Sequence, residues 1–437
     1  MPVHWISAPG AGFSSVHLLR CLPESYRLKL VNILFVSDVS IHDVIGGAER
    51  VLFEQSTRLT RNGHHVHVLT RRLPEHEAEQ EIILGVHEWR YDVDWTSPSS
   101  FLTSTLSYGR EVFESLQKDH SFDCINFHQP FSAYAVLRSQ ASRSIKKIYT
   151  CHSLSFEEYR SRNPNPQSIT EKASFRANIQ GRKRLEKKAL IASENIITLS
   201  EFTKDKLINS YDIPHDKIIV IPGGIDLERF YPVADRMKIR KHLQLPTESI
   251  ILLSVRNLVP RMGLENLIQA MKEVISRVDN IFLLIGGSGP LKDSLTSLTR
   301  KLGLDNHIHF AGFIPEDNLP DYYRAADIFI LPTLELEGFG LVTLEALASG
   351  LPVLGTPVGG TVEILEKFDP RFLFRSSRAI DMSDLITETC LRFRKNPDLQ
   401  KRLSAQCRHF VEQNYSWEKN VNDLESVLLD NLQKETP

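Results

Sequence analysis

Between Ile328 and Leu365 the chain twice runs from a short apolar segment through glycines into the start of a helix, and few folds accommodate that pattern. The first unit opens with Ile328 to Leu331, stopped by Pro332. Such a run suits a strand covered on both faces in a parallel sheet. A loop with Glu335, Glu337, Gly338 and Gly340 follows, and then Leu341 to Ala348 offers good helix formers closed by Gly350 and Pro352. The second unit passes from Pro352 to Leu354 through Gly359 and Gly360 into a helix beginning near Thr361. Strand, glycines and helix in repetition predict a doubly wound α/β domain, whose ligands lie beyond the carboxyl ends of the strands.

That geometry favours an anion. The first turn of a helix carries N–H groups without intrahelical partners and a partial positive charge, so phosphate oxygens bind there. Gly338, Gly340, Gly359 and Gly360 let the backbone approach a ligand where a Cβ would interfere. Glu337 precedes the helix and Glu345 lies inside it, so both can face such a ligand. Either glutamate alone reads equally as a solvated loop acid or one polar position of an amphipathic helix.

Taken whole, the string resembles the donor-site signature of retaining glycosyltransferases of family 4, which have the GT-B fold. The matching residues are Pro332, Glu337-Gly338-Phe339-Gly340, Glu345, Gly350-Leu351-Pro352-Val353 and Gly359-Gly360-Thr361-Val362-Glu363. The resemblance implies two Rossmann-like domains facing a cleft, with a sugar moved from a nucleotide diphosphate to an acceptor hydroxyl. It further implies that Glu345 holds the ribose and Glu337 the donor sugar. The N–H groups of Leu341 and Val342, with an arginine, would stabilise the diphosphate.

At 437 residues the chain exceeds one ordinary core, and two domains of about 200 residues each are expected. A net charge of −2 gives no argument for nucleic acid as a partner. The five cysteines, Cys21, Cys124, Cys151, Cys390 and Cys407, include no C-x-x-C pair, which fits a reducing cytoplasm and suggests no metal site. Residues 1–29 lack the pattern of a signal peptide and read as an N-terminal extension. No eighteen-residue apolar run predicts a membrane span.

Domain one is expected over residues 30–222. Leu30 to Ser37 reads as its first strand, followed by the loop containing Gly46 and Gly47, and His65 to Thr70 as its second. A Gly-Gly pair is often a simple turn. In family 4 a similar loop faces the cleft, which makes Gly46 and Gly47 donor-side candidates. Two further strands end at His128 and His152; a strand-end histidine is commonly a partly buried polar residue. The resemblance places His128 near the donor sugar, and His152 matches a looser pattern. Residues 138–188 hold thirteen Lys or Arg against four Asp or Glu, a local net of +9. They read either as a solvated helix face or as a peripheral contact with anionic lipid or a phosphate-bearing acceptor.

The strand Ile218 to Ile221 ends in Pro222-Gly223-Gly224, the expected boundary, with a polar linker to about Glu248. The resemblance has Gly223 and Gly224 line the cleft. The donor domain, 223–411, departs from the family's pattern at one point. Where family members place an arginine and a lysine for the diphosphate, this chain has Asn257 and Met262, each preceded by an arginine, Arg256 and Arg261. Residues 256 and 257 should point to opposite faces, so Arg261, in a loop, is the first choice. Gly286 and Gly287 end another strand without a G-K-[ST] sequence, and by resemblance adjoin the nucleotide; Phe313 and Ile314 would lie against its base. Residues 412–437 are expected to cross back to domain one as a helix.

The resulting expectation is a cytoplasmic hexosyltransferase of the retaining type, active in glycan, glycolipid or exopolysaccharide synthesis, with no cofactor beyond its nucleotide-sugar donor. The acceptor would be a carbohydrate or lipid-linked sugar. Alternatives on the same fold are a nucleotide-sugar epimerase, a synthase that accepts a sugar phosphate, or a non-catalytic nucleotide-sugar binder.

Overall fold

The computed structural model describes residues 30–42, 46–163, 166–430 and 432; the expected extension 1–29 lies outside them. Thirteen strands occur among these residues, in two sheets. The first comprises β1 (Asn32–Val36), β2 (His65–Arg71), β3 (Gln80–Ile83), β4 (Val86–Tyr91), β5 (Cys124–Phe127), β6 (Lys146–Cys151), β7 (Asn195–Thr198) and β8 (Ile218–Val220). The second comprises β9 (Ile250–Val255), β10 (Ile281–Gly286), β11 (Ile308–Gly312), β12 (Ile328–Leu331) and β13 (Val353–Gly355). Their orders are β3-β4-β2-β1-β5-β6-β7-β8 and β11-β10-β9-β12-β13. Only the β3–β4 pairing is antiparallel.

Continuous apolar runs make these central strands possible. Ile33 to Val36, and likewise Ile328 to Ile330, are wholly buried, as strands covered by helices on both faces must be. Chain direction across each sheet reverses beside its first strand, at β1/β5 and at β9/β12. A crevice opens at such a reversal beyond the strand ends. In domain one it is edged by residues following Val36 and Phe127, which brings in His128. In domain two it is edged by residues following Val255 and Leu331, which brings Arg256 towards the Glu337 loop.

The segment read as a polar linker contains a helix, Arg236–His242, capped by the Asp235 side chain on the Lys238 N–H at 3.1 Å. It belongs to domain two through Asp327, which accepts from Arg236 at 2.5 Å and Arg240 at 2.6 Å. The same carboxylate takes the Ile251 N–H at the start of β9, at 2.7 Å. Its helical pattern is short and mostly charged, so composition suggested a linker.

The last helix, Trp417–Leu429, packs on domain one. Val421, Leu424 and Leu428 join the core formed by Ile33, Leu52, Val68 and Ile148. Lys146 donates to the Val427 and Asp430 carbonyls at 2.6 and 2.5 Å, an arrangement suited to the carbonyl end of a helix. At the crossing, Ile225 N–H meets the Tyr415 carbonyl at 3.1 Å, and Gly224 lies so close to the Trp417 backbone that a Cβ would overlap it. No described helix is long and apolar enough to cross a membrane.

Candidate active site

The domains meet across the glycine loops of domain two. Ser200 and Thr203 hydroxyls donate to the Gly338 carbonyl at 2.6 and 3.2 Å. Glu363 accepts from the Glu201 and Phe202 N–H groups at 3.0 and 2.7 Å, capping from across the interface the helix Glu201–Tyr211. Gly47 approaches Leu341, and Gly223 lies against Phe339 and Leu341. These glycines therefore let the two halves come together, and Gly46 lies against Glu49 beside them.

Gly340 adopts φ +100, a conformation costly for any residue with a Cβ, and immediately precedes the helix Leu341–Ala348. No side chain caps that helix. Thr343 and Leu344 N–H groups turn back to the Gly340 carbonyl at 2.9 and 3.4 Å. The first two N–H groups, of Leu341 and Val342, are left for a ligand.

Arg256 reaches this loop from the end of β9. Its Nη2 donates to Glu337 Oε2 at 2.5 Å and to Thr333 Oγ1 at 3.2 Å, and lies 2.8 Å from Met262 Sδ. Both partners of the ion pair are largely buried, while Asn257 faces solvent. Arg261, in the turn Pro260–Met262, donates from Nη1 to the Leu336 carbonyl at 3.0 Å. Burial and then the neighbouring Arg256 hold its guanidinium below the usual range, partly offset by Glu337. Arg256 thus has Nε and Nη2 engaged by protein groups, whereas Arg261 is a desolvated cation with a single side-chain bond and donor capacity to spare.

Glu345 accepts from Tyr323 Oη at 2.7 Å. Burial pushes its carboxyl up; Tyr323, Arg50 and Arg229 oppose the shift. A small cleft beside it is lined by Arg50, Gly224, Asp226, Arg229, Leu341 and Trp417. Glu316 of domain two pairs there with Arg50 of domain one, and with Arg229 at 2.7 Å. Arg50, Arg229, Glu316, Tyr323 and Thr333 were missed in the sequence. No local periodicity marks them: Arg50, Arg229, Glu316 and Tyr323 are brought in by the meeting of distant segments, and Thr333 is a loop residue that donates to Glu337 of the same loop.

The remaining candidates divide. Ile314 is buried against Gly286, and Gly287, at φ +126, turns against the Arg256 carbonyl, so these glycines shape the backbone that carries Arg256. Phe313 stands at the rim, 63% exposed.

On the opposite wall, His152 Nε2 and His128 Nδ1 are 2.9 Å apart. His128 is buried, and its Nε2 and the His152 Nδ1 have no partner. Burial holds His128 well below its ordinary value and His152 at about 4, so both rings are neutral near pH 7. A histidine with a depressed folded-state pKa stabilises the fold fully above the unfolded value of about 6.5 and loses that contribution as pH falls towards the folded value. Acid titration followed by circular dichroism is accordingly expected to show the melting temperature falling between about pH 6.5 and 4. The His128→Asn, His152→Asn double variant should flatten that limb, and an unchanged limb would exclude the pair as its source.

Domain one's residues 45–229 match the sequence model described as Glycosyltransferase Family 4, and residues 235–410 that of Glycosyl transferases group 1. An uncharacterized glycosyltransferase of Methanocaldococcus jannaschii is 30% identical over 315 residues, 70% of this chain and 76% of that protein. The chain belongs to glycosyltransferase family 4. Among solved structures, sucrose-phosphate synthase from Thermosynechococcus elongatus aligns over 92% of this chain and 99% of its own, at 22% identity and TM-score 0.75. Anabaena HepE in complex with UDP and glucose aligns over 91% and 99%, at 19% identity and TM-score 0.69. Both support a GT-B arrangement for this family 4 glycosyltransferase, with two Rossmann-like domains as the motifs implied.

Proposed function

We propose that this family 4 glycosyltransferase transfers a hexose from a nucleotide diphosphate sugar to an acceptor hydroxyl with retention. One observation carries the reading: the uncapped helix N-terminus at Leu341 opens beside Glu345, and the glycine loop that leads into it is held at Leu336 by the underused Arg261. The diphosphate lies on the Leu341 and Val342 N–H groups and on Arg261, and the ribose hydroxyls lie on Glu345. Such preorganised donors stabilise charge as it develops on the leaving phosphate. In the transfer, the bond from the anomeric carbon to the phosphate oxygen breaks. The acceptor oxygen bonds that carbon on the same face, and its proton passes to the released phosphate oxygen. Glu337, fixed by Arg256, and the neutral His128–His152 pair then serve as hydrogen-bonding groups for the donor sugar. UDP in the HepE structure makes a uridine nucleotide a reasonable first probe.

A panel of nucleotide sugars and acceptors tests this by nucleoside diphosphate release, with the product's anomeric configuration read by NMR. Retained configuration is expected, and an inverted product would refute the reading. Glu345→Gln is expected to weaken nucleoside diphosphate binding about 10-fold or more, the scale of a lost charged hydrogen bond, measured calorimetrically. The Met262 sulfur against Arg256, where family members carry a lysine, favours a second reading as a non-catalytic nucleotide-sugar binder. Binding of donor with no nucleoside diphosphate released in any acceptor mixture would select it.

Peripheral membrane contact through residues 138–188 rests on exposed cations of the helix Ile169–Ala192, among them Lys172, Arg176, Arg184 and Lys187. Not all the local positive charge is available for it. Lys146 and Lys147 are buried against backbone carbonyls, Lys188 lies over Tyr134, and Arg182 is enclosed by aromatic rings.

A further inference from the structure

Domain two carries another concavity, which shares no lining residue with the cleft beside Glu345. It lies between the turn Pro370–Phe372 and the helices Ala379–Lys395 and Pro397–Asn414. Its volume is about 480 Å³, within the range of small-molecule sites. Phe372 and Phe393 are buried in its floor, with Leu385, Leu399 and Leu403 half-buried around them.

The rim is charged, and its charges are unequally partnered. Asp369 takes the Arg371 guanidinium as a fork, at 2.9 and 2.6 Å. Asp381 takes Arg378 at 3.0 Å and the Ser376 hydroxyl, and Asp384 takes Arg277 at 2.9 Å. Glu388 faces Arg392 at 3.9 Å. Each carboxylate of the rim thus has its own cation. Arg375 and Arg402 line the same space and form no ion pair with a described carboxylate; the acid that feels Arg375, Asp381, is the one already held by Ser376 and Arg378. Exposed guanidinium groups need no partner in water. Beside an apolar floor, however, two of them with free forks define a ligand with an apolar body and an anionic head.

The floor also connects inwards through a run of aromatic rings. Phe372 stacks on Phe368 with centroids 5.6 Å apart, and Phe368 meets Phe410 at 5.2 Å. Phe410 meets Tyr415 at 5.7 Å, and Tyr415 meets Phe339 at 6.1 Å. Phe339 belongs to the Glu337–Gly340 loop and lies against Gly223 at the domain boundary. A ligand resting on Phe372 therefore touches one end of a packed chain whose other end is the donor loop. Close packing leaves few voids to absorb a displacement along it.

We propose that this pocket is a regulatory site for a small amphipathic anion, its apolar body on Phe372, Phe393 and Leu403 and its carboxylate or phosphate on Arg375 and Arg402. Occupancy orders the aromatic chain, so a nucleotide that meets an already ordered loop binds more tightly. Anion binding stands apart from the donor reading above, and the coupling rests on it.

Saturation-transfer NMR and calorimetry on the full chain compare octanoate and octyl phosphate with octan-1-ol and with inorganic phosphate. At least one octyl anion is expected to bind tenfold or more tighter than either control, and the better of the two assigns the head group. The Arg375→Gln, Arg402→Gln double variant, altered only at exposed positions, should lose the preference over octanol. With the anion saturating, UDP or GDP should bind at least threefold tighter, and the anion should gain the same factor from the nucleotide. Phe410→Leu should remove that mutual gain while leaving anion affinity within twofold. Octyl anions that bind no better than octanol, or equally well in the double variant, overturn the site. A nucleotide affinity that does not rise, or a rise that survives Phe410→Leu, overturns the regulatory role. Failure of the donor reading would show separately, as neither nucleoside diphosphate binding while the anion still does, and would remove the regulatory role but not the site.

Discussion

Arg261→Ala is expected to slow nucleoside diphosphate release about 10²- to 10³-fold, with affinity for the nucleoside diphosphate falling by less than about tenfold. The asymmetry follows from the setting of the guanidinium. Arg256 is already held by Glu337, Thr333 and the Met262 sulfur, so little of it remains for a ligand. Arg261 gives one bond to the Leu336 carbonyl and otherwise lies desolvated beside another cation. A departing phosphate that gains negative charge answers that situation, and the interaction strengthens as the bond breaks. The helix N-terminus and Glu345 still bind the ground-state nucleotide in the variant. Single-turnover kinetics with calorimetry separate the two quantities. An unchanged rate would transfer the role to Arg256, and equal losses in rate and binding would make Arg261 a simple anchor.

Arg256→Met is the second large effect. It leaves the buried Glu337 carboxylate without its cation, and breaking a buried pair from one side costs about 3–5 kcal/mol. Urea denaturation should record that loss. Arg256→Met with Glu337→Gln should recover a large part of it, because the uncompensated charge is then gone. Activity should not recover with stability, since Glu337 is assigned to the donor sugar. If the single variant is as stable as the parent chain, the pair is solvated and the fixed geometry assigned to Glu337 is wrong.

The central strands were legible because continuous apolar runs bounded by Pro, Gly or His have no other comfortable place. Ile328–Leu331 is observed at the predicted bounds, and the strand read from His65 to Thr70 runs one residue further, to Arg71. The Arg236–His242 helix was not legible: seven residues rich in charge owe their helicity to Asp235 and to Asp327, which is distant in sequence. Within the site, the glycines and both glutamates were visible through spacing. The partners of those glutamates were not. Arg256 meets Glu337 because β9 and β12 lie side by side, and Tyr323 meets Glu345 because the helices before and after β12 pack together, which no local pattern states. Arg50, Glu316 and Arg229 required the docking of two domains and the linker.

The most direct test is a crystal structure of the protein with UDP or GDP bound. The account predicts diphosphate oxygens within hydrogen-bonding reach of the Leu341 and Val342 N–H groups and of Arg261, with the ribose on Glu345. Nucleotide bound elsewhere, or with its diphosphate turned away from Gly340, would contradict it.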